Sequence, residues 1–292
     1  MISESIKHKA IEIISEHTGK QILKLESQAI SGGDINAACK LTNGLDTYFI
    51  KYNDAFKYPV MFMVEAMGLN VLKEANELYI PEVIGYGEAE KDAFLILEYI
   101  NQGVKIDNFW HDFGHRLACL HTHTAESFGL DNDNYIGSLH QSNNKQTNWS
   151  SFFIEERLLP QIKLARNKGE IRKLTVDRFE NFFKYIDEIF PKENPALVHG
   201  DLWNGNYMIG SKGTAALIDP AVYYGHREMD IAMTQLFGGF PKEFYEGYNE
   251  RYPMEKDWRN RMDYCNLYPL MVHVNLFGGG YLHSVENIIN KF

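Results

Sequence analysis

Cysteine is scarce in this chain: the 292 residues hold three, Cys39, Cys119 and Cys265, odd in number, far apart and without CxxC spacing. Such a set builds neither a disulfide framework nor a zinc site, and a reducing cytoplasm is the expected compartment. Basic charge is also short, with 29 Lys and Arg against 39 Asp and Glu, a net charge of -10, and no Lys/Arg-rich block. An extended polyanion is repelled by that balance, so no nucleic-acid partner is expected. Long apolar runs are missing: nothing approaches the roughly 20 residues that span a bilayer, so no membrane partner is expected either. The N-terminus, MISESIKHKAIEIISEHTG, places isoleucines at helical spacing among charges and reads as an amphipathic helix from Ile2 to His17, closed by Gly19, and not as a signal peptide. There is no internal repeat or low-complexity segment. What remains is 45% hydrophobic and 13% aromatic, ample for a core in one domain or two lobes.

The densest chemistry lies in Leu197 to Pro220, LVHGDLWNGNYMIGSKGTAALIDP. Two short apolar runs, Tyr207 to Ile209 and Ala215 to Ile218, flank Gly210-Ser-Lys-Gly213 and predict a hairpin. A hairpin returns its ends to one place, so Asn206 entering it and Asp219 leaving it are candidate ligands for one Mg2+ ion. That ion takes oxygen donors, usually one or two from protein, and completes its shell with water and phosphate. Asp201 follows Ala196-Leu197-Val198 and His199-Gly200, on a turn leaving a strand, where a carboxylate orients an attacking hydroxyl. These are the parts that phosphoryl transfer needs.

Upstream, Gln21 to Leu41 reads as two strands joined across Ser31-Gly-Gly-Asp-Ile-Asn36, whose glycines let backbone amides approach an anion. The next strand, Thr47 to Tyr52, carries Lys51 among large strand formers. Glu65 follows within a helical pattern from Val60 to Ala75 and is its expected ion-pair partner, the pair holding an ammonium against nucleotide phosphates. Pro81 to Gly87 and Ala93 to Ile100 add two more strands. The chain then turns polar at Asn101-Gln-Gly103, a hinge whose preceding backbone, Glu98 to Ile100, is the candidate reader of adenine.

Beyond the hinge the pattern is helical. His111, His115, His121 and His123 share helix spacing but lack a third ligand, so a metal reading is set aside. Trp149 to Lys168 and Ile171 to Phe190 predict two long helices whose phenylalanines are core. Asp230 reads as a capping or loop-bracing carboxylate. Gly278-Gly-Gly280 marks a tight loop, since three glycines are costly inside a helix. The expected boundary separates residues 1–100, nucleotide-covering, from residues 101–292, with the catalytic loop, metal site and acceptor site.

Together HGDLWNGN and IDP resemble the protein-kinase catalytic loop, an Asp and an Asn in HxDxxxxN register followed by a metal-binding Asp. Only eleven residues separate Asp219 from Asp230, too few for a long activation segment, and no APE sequence follows; the expected acceptor is small. More specifically, GGDIN, FIKYN, MFMVEAMGL, NYIGS, HGDLWNGN, LIDPAVYYGHREMDIAMTQLFGGFP and HVNLFGGGY resemble the fructosamine kinase (ketosamine-3-kinase) family, within the aminoglycoside-phosphotransferase-like enzymes. The resemblance implies an α+β, bilobal protein-kinase-like fold, with a small antiparallel-sheet lobe carrying one main helix and a larger, mainly helical lobe. It implies ATP-dependent phosphorylation of the sugar 3-hydroxyl of a ketosamine such as fructosamine or ribulosamine, free or on a protein lysine, which is a deglycation activity.

On that resemblance Asp201 is the catalytic base, and Asn206 and Asp219 are the magnesium ligands. Lys51 and Glu65 anchor phosphate, and Ser31, Gly32, Gly33, Asp34, Ile35 and Asn36 form the loop over the phosphates. Asp34 stands where relatives carry cysteine, which puts thiol-based control at that position in doubt. Trp203 is a candidate for stacking on the sugar, and His273 and Asn275 are candidates for hydrogen bonds to it. Two other readings compete: a kinase of another small acceptor, an aminoglycoside or amino alcohol, and a catalytically silent nucleotide-binding protein. The presence of all five expected catalytic residues argues against the second. Oligomeric state has no signature in the sequence.

Overall fold

A computed structural model describes residues 2–30 and 35–292. The chain divides into two compact units: Met1–Phe109 with Tyr207–Pro220, and Trp110–Asn206 with Ala221–Phe292. The chain therefore passes from one unit to the other three times.

In the first unit, α1 (Glu4–Thr18) starts where the Ser3 hydroxyl accepts from the Ile6 amide, and it stops at Gly19, whose φ of 66° is left-handed. Ile6, Ala10 and Ile14, one face at i, i+4 and i+8, are fully buried with Leu41, Ile50, Phe94 and Ile96 of the sheet. That sheet is antiparallel throughout, in the order β1 (Glu26–Ile30), β2 (Ala37–Thr42), β3 (Thr47–Asp54), β5 (Asp92–Glu98), β4 (Val83–Ala89). At Gly85 of β4 an added Cβ would lie 2.5 Å from Cγ2 of Ile13, so only glycine lets α1 pack this closely. A second helix, α2 (Met61–Ala75), buries Phe62, Val64, Leu69 and Leu72.

The hairpin Tyr207–Ile209 with Ala215–Leu217 belongs to this same unit, with Tyr207 opposite Leu217. Backbone hydrogen bonds fix it there: Leu217 N donates to Tyr79 O at 2.9 Å, and Gly103 N to Ile209 O at 3.0 Å. The polar stretch after β5 is thus pinned along the hairpin.

The second unit is mainly helical. Residues 149–168 run as one helical length, but through a π-helical stretch, Phe153–Leu158, between Trp149–Phe152 and Leu159–Lys168. There Arg157 is fully buried, its guanidinium 3.9 Å from the Tyr223 ring centroid and 4.5 Å from that of Phe152, and it donates to Asn143 Oδ1 at 2.7 Å. The expected single helix over 171–190 is instead two, Lys173–Phe183 and Ile186–Ile189. The first tightens at its end, where Lys184 N donates to Asn181 O and Tyr185 N to Phe182 O, and the kink lets Ile186 bury completely. Phe152, Phe153, Phe179 and Phe182 are core. The longest helix, Trp258–Phe277, meets Gly280–Ile289 across a turn at Gly278 and Gly279, both at positive φ.

Candidate active site

The first unit gathers three of the expected residues. Lys51 sits on β3 opposite Leu95 and Ala38, its side chain directed inward by the alternation of the strand, and it is only 4% exposed. Its Nζ forms an ion pair with Glu65 of α2 and donates to Asp219 Oδ1 at 2.5 Å. Burial works against the ammonium, but the Asp219 and Glu65 carboxylates prevail and raise its pKa, so it stays charged. Glu65, also largely buried, is pushed up to about 7 by burial, against the pull of Lys51. The Asp219 side chain is 53% exposed, and its backbone is left-handed with φ 51°, a conformation that Asp tolerates better than most residues.

The remaining nucleotide-side candidates belong to the same unit. Glu98 accepts from the Tyr79 hydroxyl at 2.5 Å and from the Glu82 amide at 3.1 Å, which ties the end of β5 to the chain entering β4. Ile100 is buried. Asn36 Oδ1 accepts from Asn53 Nδ2 at 2.8 Å, and Ile35 is half-buried. Ser31, Gly32, Gly33 and Asp34 lie outside the described residues.

In the second unit the strand Ala196–Val198 pairs with Tyr223–Gly225 and delivers His199, Gly200 and Asp201. Gly200 has φ 84°, and an added Cβ would lie 2.1 Å from Ala221 O, so no other residue allows this turn. Asp230, inside the first turn of the helix Glu228–Leu236, accepts from the amides of His199 (2.7 Å) and Gly200 (2.9 Å). His121 bridges Asp230, through Nε2 at 3.2 Å, and the Tyr248 hydroxyl, through Nδ1 at 2.8 Å. Burial would raise the Asp230 pKa, yet the hydrogen bond and charge of His121 and the Gly200 amide hold it below the usual carboxylate range. Asp230 is thus a brace for the turn that carries Asp201. No local pattern marks His121, 109 residues upstream of Asp230, or the Tyr248 hydroxyl that holds it.

Asp201 is half-buried, and its side chain is oriented locally: Asn206 Nδ2 donates both to its Oδ2 and to its carbonyl oxygen, each at 2.8 Å. With the amide nitrogen so engaged, the Asn206 oxygen is the atom left for a hard cation. Trp203 and His273 meet a common neighbour, Phe237, at ring-centroid distances of 5.5 and 4.9 Å. Asn275 stands apart from them, 5% exposed, with its Nδ2 donating to the Gln161 carbonyl and Oε1.

Of the four clustered histidines, His111 stands 2.8 Å from Glu250 and His115 lies beside Cys119. No group of three or more His, Cys, Asp or Glu among the described residues is arranged to hold a metal. No helix among them is long and apolar enough to cross a membrane. Asn206 is the last residue of its segment of the second unit, and Asp219 the penultimate residue of the hairpin segment of the first. The two candidate metal ligands therefore flank the hairpin in the chain.

Comparison with known proteins bears on what this arrangement does. The family model for fructosamine kinase matches residues 6–292. A probable ketoamine kinase of Vibrio parahaemolyticus is 39% identical over 270 residues, 91% of this chain and 92% of that protein. The chloroplastic protein-ribulosamine 3-kinase of Arabidopsis thaliana is 33% identical over 286 residues, 96% of this chain and 86% of that one. A crystal structure from Haemophilus somnus, of a candidate fructosamine-3-kinase, superposes with a TM-score of 0.88 at 28% identity, covering 97% of this chain and 96% of its own, and its protein-kinase-like α+β fold is the one found here. By the extent of the family match and the identity to its relatives, this chain belongs to the fructosamine kinase family of phosphotransferases.

Proposed function

We propose that this protein transfers the terminal phosphate of ATP to the sugar 3-hydroxyl of a ketosamine, a fructosamine or ribulosamine borne on an amine, and so acts in deglycation in the cytoplasm. The observation that carries the reading is the cluster at Lys51: a buried ammonium held by Glu65 from one side while it reaches Asp219, a carboxylate half open to solvent. A structural ion pair needs one acid. A cation kept charged between two acids, one of them exposed, suits a site that must restrain phosphate oxygens beside a metal ligand.

In this reading Asp201 aligns the acceptor hydroxyl. As the oxygen forms its bond to the γ-phosphorus, the bond from that phosphorus to the β–γ bridging oxygen breaks, ADP leaves, and the hydroxyl proton passes late to the Asp201 carboxylate. An Asp with an ordinary pKa near 4 is a poor base in bulk water at neutral pH, so orientation is its larger contribution. Asn206 holds Asp201 and offers its amide oxygen, and Asp219 offers a carboxylate oxygen. Two hard oxygen donors from protein fit magnesium, which takes few protein ligands and completes its shell with phosphate and water. When bound, that ion supplies neutralisation of charge on the phosphate oxygens. Lys51 restrains the same oxygens and Glu65 holds Lys51 in place; the loop Ser31 to Asn36 covers the phosphates, and the backbone from Glu98 to Ile100 takes the adenine. Residues 1–100 then cover the nucleotide, and residues 101–292 carry the catalytic loop, the metal site and the acceptor site, with Trp203, His273 and Asn275 as acceptor candidates.

The decisive experiment offers ATP with magnesium and a ribulosamine-modified lysine, and reads the phosphorylated position by NMR. Phosphate on the sugar 3-oxygen is expected. Turnover of an aminoglycoside or amino alcohol with none of the ketosamine would overturn the assignment. Asp201→Asn should lower turnover by about 10²-fold or more while leaving nucleotide affinity intact, which separates a kinase from a silent nucleotide binder.

A further inference from the structure

Asp230 takes up the amides of the turn that carries Asp201, and a second buried network takes up the carbonyls of the chain paired with that turn. The pairing is a backbone hydrogen bond, Ala221 N donating to His199 O at 2.9 Å. The carbonyls of Ala221 and Val222 then meet side-chain amides from a small hairpin, Asn134–Ile136 with Leu139–Gln141. Gln141 Nε2 donates to Ala221 O at 3.1 Å, and Asn134 Nδ2 donates to Val222 O at 2.8 Å. Asn134 Oδ1 in turn accepts from Gln141 Nε2 at 2.7 Å and from Asn143 Nδ2 at 3.1 Å. The far end is Arg157, whose Nη2 donates to Asn143 Oδ1 at 2.7 Å. All four side chains, Asn134, Gln141, Asn143 and Arg157, are buried.

The two ends of this chain dictate its direction. A guanidinium can only donate and a backbone carbonyl can only accept. Between them each Asn must turn its oxygen toward Arg157 and its nitrogen toward Val222, and reversing either amide leaves a buried group unpaired, which is costly in a dry interior. Tyr268 fixes Gln141 in the same sense, its hydroxyl donating to Oε1 at 2.7 Å and leaving Nε2 for Ala221. Arg157 also reaches the turn by packing: its guanidinium lies 3.9 Å from the Tyr223 ring centroid, Tyr223 pairs opposite Val198, and an added Cβ on Gly200 would lie 3.2 Å from that ring. The oxygens that accept from Arg157, the Ser142 and Glu156 carbonyls and the Asn143 amide, are all neutral. A cation buried among neutral oxygens is an expensive way to fill a core. It also sits in the π-helical stretch Phe153–Leu158, a distortion of a kind that recurs at functional sites.

We propose that Arg157 is a positioning residue for phosphoryl transfer: through Asn143 and Asn134 it sets the direction of the amide chain that holds the Ala221 and Val222 carbonyls, and so fixes the turn bearing Asp201. The turn is then clamped by two buried charges of opposite sign, Asp230 acting on its amides and Arg157 acting, through neutral amides, on the carbonyls of the segment bonded to it. The proposal rests on the kinase reading above for the role of Asp201, whereas the clamp is a property of the folded chain.

The test is Asn143→Asp. The new carboxylate still accepts from Arg157, now with a charge of its own, but it has no N–H for Asn134, so the chain breaks in the middle while the cation gains a better partner. With ATP, magnesium and a ribulosamine-modified lysine, kcat should fall about tenfold while KM for ATP stays within about twofold. Read by NMR, the Ala221 amide should exchange with deuterium about tenfold faster, while the amides of β3 in the first unit keep their protection. If Arg157 only fills the core, the same substitution leaves kcat and Ala221 as they are. Arg157→Lys, still a donor only, should keep several times more kcat than Arg157→Gln, whose amide can turn either its oxygen or its nitrogen to Asn143. Wild-type kcat and Ala221 protection in Asn143→Asp, or Arg157→Gln matching Arg157→Lys, overturns the proposal, and should the Arg157 variants not fold, Asn143→Asp decides alone. If wild type phosphorylates no ketosamine the kinase reading falls, and exchange at Ala221 still decides the clamp.

Discussion

Lys51 in the first unit and Asp230 in the second are both almost wholly buried charges, at 4% and 1% exposure, but their surroundings differ in kind. Asp230 is one carboxylate ringed by donors, two backbone amides and an imidazole that is itself held by Tyr248. Its negative charge is fully answered, its pKa is depressed, and nothing about it calls for a further partner. Lys51 is one cation shared by two acids, so that Glu65 is under-compensated and its pKa climbs, while Asp219 stays half in solvent. A complete cluster fixes geometry. An over-acidic one, left open on one side, keeps negative charge that its lysine does not answer, which is what the metal and phosphate proposed for it would use.

Breaking the complete cluster should cost the most. Asp230→Ala removes the acceptor of the His199 and Gly200 amides and leaves the buried Nε2 of His121 without its carboxylate, so unfolding stability should drop by roughly 3–5 kcal/mol, read as a shift in the urea midpoint. Activity should fall with it, since the turn carrying Asp201 loses its anchor. If the midpoint hardly moves, Asp230 is not the brace described. Lys51→Met should do the reverse, lowering kcat/KM for ATP by about 10²-fold with a smaller loss of stability, because Glu65 can take up a proton once its partner is gone. A variant that unfolds but, where folded, still turns over ATP normally would make the pair structural.

The finest comparison uses pH. Glu65, raised to about 7, contributes stability that is fully present below the ordinary carboxylate pKa of about 4.3 and is lost as pH rises through 7. Asp230, depressed, contributes stability that is present above about 4 and is lost as pH falls. Wild type should therefore lose about 1–3 kcal/mol relative to Glu65→Gln between pH 5 and 8, whereas its advantage over Asp230→Ala should shrink only in acid. Parallel curves for the two pairs would erase the distinction between the clusters.

Much of this was legible locally. The Gly19 cap, the strand that carries Lys51, the hairpin between Asn206 and Asp219 and the helix that carries Glu65 all follow from short-range pattern, because caps, alternation and glycine-containing turns act over a few residues. What stayed hidden is long-range. The bracing role of Asp230 could be guessed, but not the His121 and Tyr248 that hold it, since a polar network across a helical unit leaves no periodicity. Arg157 reads in sequence as an ordinary charged residue in a helix, and only the packing of Phe152 and Tyr223 on its two sides, with backbone and amide oxygens at its ends, permits its complete burial. The break at Lys184 is hidden for a similar reason: the helical hydrophobic spacing runs on through it, and only in three dimensions does the tighter turn accompany the complete burial of Ile186.

The threefold passage of the chain between units has a consequence for synthesis. Residues 207–220 supply a β ribbon to a unit whose other residues end at Phe109, so that unit is discontinuous in the chain. As the nascent polypeptide emerges, the five-stranded sheet can assemble early, but the Gly103 amide and the Tyr79 carbonyl must wait for their partners until the ribosome has passed Leu217. Most of the helical unit is in the growing chain before the sheet unit is whole, and no uninterrupted fragment ending at Phe109 can contain the whole of the sheet unit.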